Sequence, residues 1–133
     1  MKKVYETRSF TEQEYTMKTL YVFGNEYLAE DNFALKIANY MDATIIHCRN
    51  PDDLLYIEGD ITILDVVKNI KKPMLITDIN QLKSRNIISL HDFDLGFFLK
   101  LMKGLGIEKN IRIIGIPMAG DIESISAEVK KWL

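Results

Sequence analysis

The sequence predicts a three-layer α/β/α domain on a mostly parallel sheet of five strands, one of them antiparallel. Three observations lead there. Short apolar runs alternate along the chain with helix-length amphipathic stretches. The runs are continuous rather than alternating, the texture of strands covered on both faces. The connectors between them are short, as in strand–helix–strand units. With 133 residues, 47% of them apolar and 27% charged, the chain has the size and core of one domain.

The first sixteen residues, MKKVYETRSFTEQEYT, mix acids and bases with no sustained apolar period, and read as an N-terminal tail. The domain is expected over 17–133. TLYVFG (19–24) is the first strand, ending in glycine. Residues 31–41 then place Phe33, Leu35, Ile37, Ala38 and Met41 at helical spacing. ATIIHC (43–48) is the second strand. PDDLLYI (51–57) opens with proline and two acids, as helices do. ITILDVV (61–67) and PMLITDI (73–79) are the third and fourth strands. Residues 67–73 are too few for a crossover helix, so the fourth strand or its neighbour is expected to be antiparallel or at an edge. DFDLGFFLKLMKGLG (92–106) is a helix closed by glycine, IRIIGI (111–116) the fifth strand, and 122–133 a last helix.

Composition narrows the function. This balance excludes a disordered chain, a collagen-like repeat and a disulfide-stapled miniature. Seventeen basic against nineteen acidic residues give a net charge of −2, with no Lys/Arg cluster, so nucleic acid is not an expected partner. Nor is a membrane, because no apolar run reaches the length of a span. No apolar stretch follows Lys2–Lys3, so no signal peptide is expected, and a single cysteine, Cys48, suits a reduced, cytoplasmic protein.

In open α/β sheets, ligands bind beyond the carboxyl ends of the strands. The polar residues there are the candidates. The loop after the first strand carries Glu26, Glu30 and Asp31; His47, Cys48, Arg49 and Asn50 surround the end of the second; Asp65 stands inside the third. His91, Asp92 and Asp94 stand where the long helix opens. A carboxylate between Leu64 and Val66 costs several kcal/mol, roughly, to bury unless paired or ligated. Asp65 is therefore either a ligand or a strand-end aspartate bonded to backbone amides. Asp31 and His91 have similar structural alternatives, as groups opening helices. Two carboxylates and an imidazole would make an N/O site suited to a first-row transition metal. HExxH, CxxC, Walker and GxGxxG signatures are all missing. Cys48 reads as a small buried hydrophobe, and His47 as a structural hydrogen-bonder.

From about Leu20 to the end, the chain resembles the hydrogenase maturation proteases, endopeptidases that trim the large subunit of nickel–iron hydrogenases. Four segments carry the resemblance in order: VFGNEYLAED (22–31), ITILDVV with its embedded aspartate, SLHDFDLGFFLKLMKGLG (89–106) and IRIIGI. The resemblance implies a twisted five-stranded sheet between helices. It implies that Asp31, Asp65 and His91 bind nickel belonging to the precursor, with Asn25 and Asp92 as supports that orient them. It implies no cofactor of the protein's own, and a hydrogenase large-subunit precursor as partner. No catalytic residue follows from it.

Two segments depart from the family pattern. Asp31 is followed by Asn32-Phe33-Ala34 where the family has Gly–x–Gly. HCRNPDD (47–53) replaces a glycine-rich loop implicated in activity; here only Asn50 readily takes positive φ, and it is the candidate substrate-loop residue. The expected function is cleavage of a nickel-loaded precursor. The alternative is a chaperone or scaffold that reads the nickel site without cutting, and a third reading is a flavodoxin-like module of unrelated function.

Overall fold

The computed structural model describes residues 18–23, 32–49, 51–77, 88–89, 106 and 110–133. These form a mostly parallel α/β sheet. Its strands are β1 (Lys18–Phe23), β2 (Ala43–Cys48), β3 (Ile61–Lys68), β4 (Met74–Ile76), β5 (Ile88–Ser89) and β6 (Ile111–Ile116). The order across the sheet is β2-β1-β3-β6-β4, with β5 on the end of β3. β2, β1, β3 and β6 run parallel. β4 pairs antiparallel with β6 at the edge. The short 67–73 connection is the reason: a chain that cannot make a crossover must turn back. Asn69, at φ 70°, lies in that turn, and asparagine is among the few non-glycine residues that favour positive φ. The two residues of β5 add a second antiparallel pairing, against Val67 and Lys68.

One face of the sheet carries Leu20, Val22, Leu64, Val66, Ile114 and Ile116. Helices α1 (Phe33–Ala38) and α2 (Ile122–Lys130) cover it through Phe33, Ala34, Ile37, Ile125 and Val129. The other face carries Phe23, Cys48, Ile61, Ile63, Ile76 and Ile113 around Leu54. Leu54 belongs to a 3₁₀ turn, Pro51–Tyr56, where the sequence suggested a helix. The long helix expected over 92–106 lies outside the described residues except for Gly106, which has a φ of 79°. The tail, 1–16, also lies outside them.

Three expectations change in detail. α1 is shorter than residues 31–41; Met41, still buried, follows it in a bend. α2 stops at Lys130, and i→i−3 hydrogen bonds carry it on as a turn that packs Trp132 and Leu133 against the core. β2 is not buried on both faces. Among the described strands it lies at the edge, and Thr44, Ile45 and Ile46 are exposed. An apolar run marks a strand, but its place in the sheet depends on partners distant in sequence.

No helix among the described residues is long and apolar enough to cross a membrane.

Candidate functional site

The strand order sets where a ligand would bind. From β1 the chain moves to one side to form β2, then crosses back to form β3 on the other side. The β1/β3 boundary is therefore the topological switch point, and the crevice beyond its carboxyl ends is the expected binding place. Asp65 stands there. Tyr21 pairs with Ile63 and Val22 with Leu64, so Phe23, the last residue of β1, is level with Asp65. Phe23 is level with Cys48, the last residue of β2. On the other side, Asp65 is opposite Gly115, and Gly115 opposite Met74.

One row thus crosses the sheet at its carboxyl edge: Cys48, Phe23, Asp65, Gly115, Met74. Asp65 is its single charged member. It is 1% exposed, between Leu64 and Val66, which face the helices at 0%. Ile63 and Val67 flank it on its own face. Keeping a carboxylate in such a row costs roughly several kcal/mol unless partners recover it.

Gly115 was not among the sequence candidates. A Cβ there would meet Val67 Cγ2 at 3.0 Å and Ile76 Cδ1 at 3.5 Å. The glycine keeps the position beside Asp65 free of a side chain. Glycine inside a strand commonly marks such a close approach, and that signal was present in IRIIGI. What it approached was fixed only by the β3–β6 register.

Cys48 is buried, and its thiol is pushed up to about 11 by burial and by the negative charge of Asp53. A thiol held protonated is a poor nucleophile, which agrees with a small packed hydrophobe. The backbone N–H of Arg49 donates to Asp53 Oδ2 at 3.1 Å. That bond ties the exit of β2 to the 3₁₀ turn that follows. His47 is half-buried, on the opposite face of β2 from Cys48.

Asp31, His91, Asn25, Asp92 and Asn50 lie outside the described residues, so the structure brings none of them to Asp65 or away from it. Among the described residues, no group of three or more His, Cys, Asp or Glu side chains could hold a metal. No family model, curated protein or solved structure matches the chain.

Proposed function

We propose that this chain is an endopeptidase of nickel–iron hydrogenase maturation, which recognises nickel in the large-subunit precursor and removes its carboxy-terminal extension. The observation that carries this reading is the buried Asp65 at the switch-point edge of the sheet. The ordered set of four segments resembling hydrogenase maturation proteases supports it. In this reading Asp31, Asp65 and His91 complete the coordination of a metal that the precursor already holds. Only loaded precursor then binds well, and the nickel acts as the recognition handle. Asn25 and Asp92 orient the ligands, and Asn50 lies in the loop beside the substrate tail.

One observation favours a second reading, a chaperone or scaffold that binds the nickel site without cutting. The segment after β2 has no glycine, and the Arg49–Asp53 bond and the 3₁₀ turn hold it. A loop so tied closes less readily over an extended peptide. Incubating the chain with nickel-loaded and metal-free precursor and weighing the products separates the readings. Trimming of the loaded form alone is expected. Binding without trimming favours the chaperone, and equal trimming of both forms overturns the nickel checkpoint.

A further inference from the structure

The connection between β3 and β4 crosses a third strand. β6 lies between the two, and β3 ends and β4 begins at the same, carboxyl edge of the sheet. Residues 69–73 therefore arch over the end of β6, across two strand spacings, about 10 Å. Both ends of the arch are held. Lys68 pairs with Ile88 of β5 before it, and Met74 with Gly115 of β6 after it. Ile70 is half-buried and Pro73 buried, so apolar residues seat the arch on the domain.

The charged residues of this stretch are all of one sign. Lys68, at the foot of the arch, and Lys71 and Lys72 within it are exposed. Among the described residues none of the three is ion-paired. From Val66 to Thr77 the chain has no acid, although its net charge is −2. Three positive charges thus stand beyond the row of Asp65, Gly115 and Met74, on the side from which a ligand reaches it. Lysines also guard sheet edges against pairing, but Lys71 and Lys72 stand before β4 rather than along it. Three lysines on a chain of this charge are too few for a nucleic-acid surface. They suit one or two carboxylates on a peptide, whose approach they steer.

We propose that this arch receives carboxylates of the precursor's carboxy-terminal extension, which runs from the Asp65 edge across the end of β6. The proposal rests on the proposed function, in either its cutting or its chaperone form. Asp65 reads the metal, and Lys68, Lys71 and Lys72 read the tail behind it. Charges at a rim act chiefly on the rate of encounter, and salt screens them.

Stopped-flow association of the full chain with nickel-loaded precursor, each variant checked for folding by circular dichroism, tests it. Lys71→Glu combined with Lys72→Glu should associate about tenfold more slowly or worse at low salt, and the gap should close near about 0.5 M salt. Lys130→Glu combined with Lys131→Glu makes the same change of net charge at the far edge, and should slow association by no more than about twofold. Two altered precursors identify the carboxylates: one with Asn and Gln for the Asp and Glu of the extension, one with an amidated carboxyl terminus. The one that removes the received group should slow the wild type and leave the Lys71/Lys72 double variant no slower than before. The proposal is overturned if the two double variants behave alike, if neither altered precursor slows the wild type, or if the Lys71/Lys72 effect persists on a precursor lacking the extension. In those cases loaded precursor still binds through Asp65 and the proposed function stands. A wild type that does not bind loaded precursor at all overturns both.

Discussion

Two residues at the carboxyl edge answer opposite questions. Asp65 is buried where a carboxylate is expensive, so it is held either by partners that recover the cost or by a ligand. Asp65→Asn keeps the shape and removes the charge. It should abolish nickel-dependent capture of the precursor while changing unfolding stability by no more than about 1 kcal/mol. A loss much beyond that in a urea titration would identify Asp65 as a structural cap instead. Cys48 is the converse, a titratable group kept neutral. Its thiol is pushed up to about 11 from an ordinary value near 9.0. Below the lower value both folded and unfolded chains hold the proton. Between the two values the unfolded chain gives it up and the folded one does not, so stability falls as pH rises. Urea titrations at about pH 8 and about pH 10.5 should therefore show a larger fall for the wild type than for Cys48→Ala. Equal falls would show that the thiol is not held neutral.

At the scale of elements, local chemistry was legible and position in the sheet was not. β2 and β6 begin and end where their apolar runs do, because runs dominated by apolar and β-branched residues between turn residues leave the backbone little choice. The antiparallel edge strand β4 followed from a connection too short to cross over. The exposure of β2 did not follow, nor did the pairing of Gly115 with Asp65, since both depend on which strands meet. Of the candidate site, Asp65 was legible as a charge out of place in an apolar run. Asp31 and His91 rest on the resemblance and lie outside the described residues. The start of α2 combines both kinds of information. Asp121 caps it by accepting the Ser124 N–H at 2.9 Å, which holds its carboxyl below the usual range. Gly120, just before, sits at φ 154°, where a Cβ would lie 2.8 Å from Ile125 Cδ1. Ile125 can swing aside, but the backbone conformation cannot be relieved that way. Gly120→Ala should cost about 1–2 kcal/mol by chemical denaturation. An unchanged midpoint would mean that the turn relaxes at no cost.

Across the whole molecule, the parallel strands separate two ends with different tasks. At the amino end, Arg112 donates to Thr62 Oγ1 at 3.2 Å and to the backbone oxygen of Trp132 at 3.0 Å. It clamps β6, β3 and the carboxy-terminal turn together, and so holds α2 on the sheet. At the carboxyl end, Asp65 serves recognition in the proposed function. Thr62 and Asp65 are three residues apart on β3, about 10 Å at the rise of an extended strand. At that spacing, substitutions usually add to within about 0.5 kcal/mol. Arg112→Ala removes two half-buried hydrogen bonds and should cost about 1–3 kcal/mol, yet leave nickel-dependent capture of the precursor intact at temperatures where the variant stays folded. Asp65→Asn should do the reverse. The double variant should then show the stability of the first and the binding defect of the second, measured by denaturation and by precursor capture on the same samples. A coupling well above the additive limit would mean that the core of β3 transmits between its ends, and that the clamp at one edge of the sheet helps to set the geometry of the other.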